Sequence, residues 1–441
     1  MITPTTGKWQ WKEVHDDLYA KAVVLKSGET TIAIVSLDLG SLGKEVADVA
    51  KAQAQELTGI PAENILIAAT HTHYAPFVGR ASEGVAKDYA DSLTDRIADA
   101  LWLANGRLAP AMLGHGSGSV PDEVFNRRYW MKDGPVVFNP LEVSYQDEAG
   151  EMVYAWKKSD IVRPAGPTDP EVGVLAVLGE DWKPIAVLAN YALHYVGGPH
   201  YDTMSADYFG YFERALQRMA GADFAASMLN GTCGDINNVD YMASKSAEQD
   251  RLDYELSTFY QIERVSNVVA AEVFRVWQGL RRSCYAREVP LGVANDWFRF
   301  QYRKVSPEEV TRAKEEVLAT PEPHAPNHLK WLERIRASAV LDCAEHGPER
   351  VTQIQAFRLG DIGLVGLPGE IFVEIGMAIK KNSPFKHTLV GELANDNIGY
   401  LPTDKAMDEP PSYEVLTSRA AVGTAPAMVQ SAVGLLAQLV N

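Results

Sequence analysis

The stretch Asn64–Pro76 constrains this chain more than any other. Ile65, Leu66, Ile67, Ala68 and Ala69 form a short apolar run containing β-branched residues, which reads as a buried strand. The run ends in His71 and His73, spaced i, i+2. On an extended strand that spacing sends both rings to the same face. Two imidazoles at the mouth of a buried strand suit a metal site, or a metal ligand beside a general base. Two unrelated loop histidines are the plain alternative.

Strand-like and helix-like segments alternate through most of the length, which predicts an α/β fold of layered mixed β-sheets flanked by helices. Strands are expected at Ala22–Leu25 and Thr31–Leu37 around a tight turn, with a helix over Lys44–Leu57 and another over Val85–Leu103. Val172–Leu178 and Ile185–Tyr191 read as a hairpin. A helix at Ser205–Met219, a strand at Phe224–Leu229 and a long helical stretch at Glu248–Leu280 follow. Ser306 and Pro307 mark a helix start. Residues from about 301 to 350 read as a helical excursion on the main domain. Strands at Thr352–Leu359, Ile362–Leu367 and Thr388–Leu393 and a closing helix at Ala425–Leu439 complete the pattern. No linker-like tract divides the chain, so residues 1–441 read as one domain.

Chemistry-bearing residues stand at the ends of these strands. The run Ile185–Leu193 ends at His194. Ile362–Leu367 leads into Glu370, where a carboxylate at a strand-to-helix joint would complement a helix N-terminus. Thr388–Leu393 leads to Asn395–Tyr400. In layered α/β proteins, sites collect where strand ends converge. Two neutral imidazoles and one carboxylate are a donor set that zinc uses in catalytic sites. Taken singly, His194 reads more readily as a hydrogen-bonded core histidine, and Tyr400 can be read as a packed aromatic. The loop Asn230–Asn238 is rich in Gly and Asn and holds Cys233, but nothing near it in sequence supplies a base for a thiol nucleophile.

The 41 Lys and Arg against 58 Asp and Glu give a formal charge of −17. That balance argues against nucleic acid and anionic membranes as partners, since phosphate contacts need Lys and Arg. Three scattered cysteines form no disulfide framework. The first residues have no signal-peptide pattern and no apolar run is long enough to span a bilayer, so a cytoplasmic location is expected. The partner expected is a small-molecule substrate, and a homo-oligomer is compatible with the sequence.

Together the motifs resemble the neutral ceramidase family of zinc-dependent amidases. The resemblance extends over nearly the whole chain and rests on local matches in order. Thr70–Pro76 resembles the family's Thr-His-Thr-His-Ser-Gly-Pro, and Asn190–His194 its Asn-x-Ala-x-His. Gly234–Asn238 is similar to its Gly-Asp-Val-Ser-Pro-Asn, and Pro368–Ile371 to its Pro-Gly-Glu-Phe. Gly399–Tyr400 and Tyr413–Glu414 resemble its late Gly-Tyr and Tyr-Glu. The resemblance implies Zn2+ held by His71, His194, Glu370 and Tyr400. It makes His73 a base or transition-state donor. Arg127, with Arg128 as the alternative, and Tyr413 would face the developing oxyanion.

Departures from the family pattern concern the pocket wall. Asn237 stands where the family has Ser, and Tyr74-Ala75 where it has Ser-Gly. The chain also stops where larger members continue into a β-sandwich domain. Tyr74, Tyr195 and Asn237 are therefore expected to bind substrate, with Tyr201, Tyr208 and Tyr241 near them in sequence. The resulting expectation is a zinc-dependent hydrolase of an amide bond in a soluble polar substrate. An ester, lactone or glycosidic bond, and a non-catalytic binding protein on the same fold, are the alternatives.

Overall fold

The computed structural model describes residues 1–4, 11–79, 84–146, 152–197, 202–243, 259–319 and 328–440. Three sheets carry the architecture, and each contains one parallel pair joined through a helix. In the first, Ala20–Ser27 and Thr30–Leu37 form an antiparallel hairpin, and Thr30–Leu37 then pairs in parallel with Ile65–Ala69. The helix Lys44–Thr58 makes that crossover. In the second, the order is Ala225–Asn230, Pro184–Tyr191, Glu171–Gly179, Ala111–Ser119 and Tyr285–Ala286. Its parallel pair, Pro184–Tyr191 with Ala225–Asn230, is crossed by the helix Asp207–Ala220. In the third, Leu291–Gln301, Glu349–Leu359, Ile362–Gly366 and His387–Gly391 lie in order. The helix Val373–Asn382 links its parallel pair.

The packing follows from which faces are apolar. Ile34, Leu66, Leu188, Leu229, Phe357 and Leu364 meet in one cluster drawn from all three sheets. Burying each such side chain contributes about 1.5–3 kcal/mol. The helices Lys44–Thr58 and Gly84–Gly106 cover the first sheet through Ala47, Ala50, Leu93 and Ile97. Asp207–Ala220 and Tyr260–Gly279 cover the second, and Val373–Asn382 with Thr424–Val440 cover the third. The layered α/β fold with helices outside is the one expected from the sequence. The expected long helix over 248–280 is described from Tyr260 to Gly279, and residues 244–258 lie outside the described residues. The excursion comprises the helices Pro307–Ala319 and His328–His346. Among the described residues, no helix is long and apolar enough to cross a membrane.

Candidate metal centre

Asparagine side chains staple the C-terminal ends of the three parallel pairs together. Asn190 donates to the carbonyls of Leu229 and Val390 and accepts from the Val390 amide. Asn395 accepts from the Ile67 amide at 3.0 Å, and Asn230 donates to the Thr70 carbonyl at 3.2 Å. These bonds pair backbone groups of edge strands and of the loop at Thr70; left unpaired when buried, such a group costs about 1–3 kcal/mol. The loops bearing His71, His194, Glu370 and Tyr400 leave from this junction.

The two histidines after the first sheet meet, though not by strand alternation. The strand stops at Ala69, and His71 adopts a left-handed backbone with φ of 69°. Such a conformation is costly for a residue with a Cβ and persists where its surroundings impose it. Here the His71 amide donates to the Leu39 carbonyl and Nδ1 bonds the Gly40 carbonyl at 2.6 Å. The His71 and His73 ring centroids come to 4.8 Å, and those of His71 and His194 to 4.5 Å.

Glu370 arrives beside Tyr400 by pairing. Glu370–Ile371 is a two-residue strand parallel to Tyr400–Leu401, with Glu370 in register with Tyr400. Gly369, at φ of 153°, makes this possible: a Cβ there would meet the Gly399 carbonyl oxygen at 2.7 Å. The expected role of Glu370 at a helix N-terminus falls instead to Asp235. The following helix starts at Val373, whose amide donates to Asp235 Oδ1 at 2.9 Å.

The geometry at the centre asks for a cation. His71 Nδ1 donates to a carbonyl, so the neutral ring turns its Nε2 lone pair inward. That atom lies 3.2 Å from Glu370 Oε2 and 3.3 Å from His73 Nε2. His194 Nδ1 is likewise turned to the Cys233 carbonyl at 3.1 Å. His194 Nε2 and Glu370 Oε2 are both buried without a hydrogen bond. A tetrahedral metal with bonds of about 2.0–2.1 Å holds its donors roughly 3.3 Å apart, the spacing seen here. The nitrogens of His71, His73 and His194 all lie within 4.8 Å of one another, and the group is able to hold a metal ion. Burial, with His71 next in effect, pushes the pKa values of His73 and His194 well down, which keeps their lone pairs free. Burial opposes a charge on His71 too, but Glu370 and the Gly40 carbonyl outweigh it and raise its pKa. A proton on His71 and a metal ion would therefore compete for one position.

A basic and phenolic wall adjoins this centre. Buried Arg127 donates through Nε to Glu414 at 2.7 Å, and through Nη2 to the Gly234 carbonyl at 2.8 Å and the Tyr400 hydroxyl at 3.1 Å. Tyr413 packs edge-on to Tyr400 with centroids 5.5 Å apart. Arg128 points elsewhere, to Ser412 and Glu409. Of the two, Arg127 is the one in contact with Tyr400.

Two solved structures share this architecture over almost all of the chain. One is neutral ceramidase from Pseudomonas aeruginosa, with a TM-score of 0.67 at 17% identity, covering 99% of this chain and 73% of that one. The other is described as ceramidase complexed with C2, with a TM-score of 0.66 at 18% identity, covering 97% and 70%. The fold is that of the neutral ceramidases. No family profile matches the sequence, and no curated protein does.

On this ceramidase-like scaffold, the residues expected at the pocket wall divide. Tyr195 stacks on His73 with centroids 3.8 Å apart and rings 19° from parallel, and Tyr74 meets Tyr195 edge-on. Asn237 bonds Asn139 and the Val239 amide, not the histidine group. Tyr208 is buried under the second sheet, its hydroxyl donating to the Leu193 carbonyl. Tyr241 packs against Tyr129. Tyr201 lies outside the described residues. Cys233 is fully buried, and its thiol donates to Glu392 at 2.9 Å. Burial and then Glu392 push the thiol pKa well up, which removes the thiolate a nucleophile needs.

Two carboxylates of the site were not singled out from the sequence. Glu392, just past the strand His387–Gly391, accepts from the amides of Cys233 and Ile371, tying the Asn230–Asn238 loop to the Glu370 segment. Asp207 accepts from the amides of Val196 and Gly197 at 3.2 and 3.0 Å, fixing the loop that carries Tyr195. A polar residue closing an apolar run, the pattern that marks Glu370, is present at Glu392 as well.

Proposed function

We propose that this protein is a zinc-dependent hydrolase that cleaves an amide bond in a soluble, polar substrate. His71, His194, Glu370 and Tyr400 are the residues that hold the ion. The observation that carries the reading is His194 Nε2, buried without a hydrogen bond in the same group as His71, together with the 3.2 Å approach of Glu370 Oε2 to His71 Nε2, a donor spacing that fits zinc. His71 and His194 each fix their second nitrogen on a backbone carbonyl, the usual support of a ligating imidazole. His73 has no such carbonyl partner among the described residues, which favours a proton-handling role for it.

Zinc bound there would act as a Lewis acid and bring the pKa of a water toward neutrality. His73, kept neutral by burial, accepts a proton at Nε2. Arg127 uses Nε and Nη2 on its protein partners, which leaves Nη1 for an oxyanion, with the Tyr413 hydroxyl beside it. The amide bond comes from the resemblance to the neutral ceramidases. The soluble substrate is inferred from Tyr195, whose ring lies on His73, and from Tyr74, which packs against Tyr195 and stands where the family has a small residue.

Elemental analysis of protein purified without added metal tests the centre, with one zinc per chain expected. Less than about a tenth of an equivalent, with activity indifferent to a chelator, refutes it. For the substrate, kcat/KM is compared between detergent-solubilised ceramide and soluble amides, lactones and glycosides. A ceramide value above about 10⁴ M⁻¹s⁻¹ and above every soluble compound overturns that part.

A further inference from the structure

A cavity of about 410 Å³ opens between the helical excursion and the metal centre. Glu370, Tyr400 and Tyr413 line it, together with Asp342, Arg350 and Arg419. Asp342 comes from the helix His328–His346, so the excursion supplies a wall of a space that reaches two of the proposed metal ligands. Its volume lies within the range of about 300–1,000 Å³ usual for small-molecule sites.

Apart from Glu370, which belongs to the metal centre, the charged groups lining this cavity are already paired. Arg419 pairs with Asp342, and Arg350 donates to Asp396 at 2.6 Å. A free anion would find both guanidinium groups neutralised, and away from the metal centre a free cation would find Asp342 already paired. An acyl chain would strip water from these groups and return no hydrogen bond. A neutral group with neighbouring hydroxyls suits them best, because each hydroxyl both donates and accepts. It gives protons to carboxylate oxygens and receives them from guanidinium N–H groups. Tyr302 and Tyr413 add rings against which a saturated ring can pack.

We infer that this cavity binds the sugar ring of an N-acylated amino sugar, with the ring's amide directed to the histidine group. The inference rests on the hydrolase reading for the bond that is cleaved; the ring's place in the cavity stands on the lining alone.

Zinc-loaded protein is assayed on N-acetylglucosamine and N-acetylgalactosamine against N-cyclohexylacetamide, which has a ring of the same size and no hydroxyls. The better sugar amide is expected to exceed the cyclohexyl amide in kcat/KM by at least about tenfold. Ser338→Phe, at an exposed helix position on the cavity wall, and Asp342→Ala should each cut that ratio roughly tenfold. A ratio near one, or a ratio that neither variant moves, overturns the assignment. If no amide is cleaved, the bond reading fails alone and calorimetry with N-acetylglucosamine decides the cavity. Saturable binding abolished by Ser338→Phe upholds it. Absence of binding, or binding that survives Ser338→Phe, overturns it.

Discussion

Two buried polar groups sit a few residues apart in this molecule and differ in one respect. Behind the first sheet, Lys51 donates to Gln353, Gln353 to Asn295, Asn395 to Gln355, and Gln355 to the Glu63 carbonyl. None of these side-chain atoms is left unbonded among the described residues. At the sheet ends, His194 Nε2 and Glu370 Oε2 are unbonded and equally buried. Burying polar atoms without partners costs about 1–3 kcal/mol each. A closed network needs nothing further and ties elements together. An open one is stable only if something else completes it, which is what separates a structural polar core from a binding centre.

The comparison breaks most visibly if the open group is disturbed. His71→Ala, His194→Ala and Glu370→Gln should each lose both zinc and turnover, read by elemental analysis and kcat. A variant that keeps a full equivalent of zinc removes that residue from the donor set. His73→Ala should keep zinc and lose about 10²- to 10⁴-fold in kcat. Loss of zinc as complete as in His71→Ala would make His73 a donor.

Next in size is the support behind Tyr195. Asp207 holds a left-handed backbone at φ of 53° and bonds the amides that follow His194. Asp207→Ala should retain zinc and lower kcat by about 10- to 100-fold, as losing an outer support does. Asp207→Asn, which keeps one acceptor oxygen, should recover part of it. Equal kcat in all three proteins would show that the loop needs no such anchor.

The smallest effect belongs to the closed network and appears in stability. Burial pushes the Lys51 pKa down to about 7, against 10.5 for the free group. Between those values the unfolded chain binds the extra proton, so stability should rise with pH from about 7 to 10. The slope is at most about 1.4 kcal/mol per pH unit. Denaturant melts across that range check the sign, and Lys51→Met should flatten the curve.

How far the sequence shows all this depends on how the chain is patterned. Ile65–Ala69, Ala186–Tyr191 and Ile362–Gly366 are runs buried on both sides, and their length and composition announce them. The interior strand Ala111–Ser119 carries Gly114, Gly116 and Gly118, so no apolar alternation marks it. Those glycines let Tyr285 and Val276 lie against the strand: a Cβ would meet them at 2.6 to 3.0 Å. Leu291–Gln301 is an edge strand with polar residues on its open side, which hides it for a different reason. At the site, donor types were legible at the strand ends, but the left-handed turn at His71 was not, because it depends on carbonyls of Leu39 and Gly40 brought from another loop.

The asparagine staples at the sheet ends give the centre a property beyond chemistry. Its proposed donors come from three crossover units, the third supplying both Glu370 and Tyr400, so no single unit can assemble the full set. An ion that binds there binds only the fully docked chain, and by mass action it would stabilise that state by an amount that grows with the logarithm of its free concentration. The metal would then act as a checkpoint of assembly, and its supply in the cell would set how much of the chain survives as well as how fast it works.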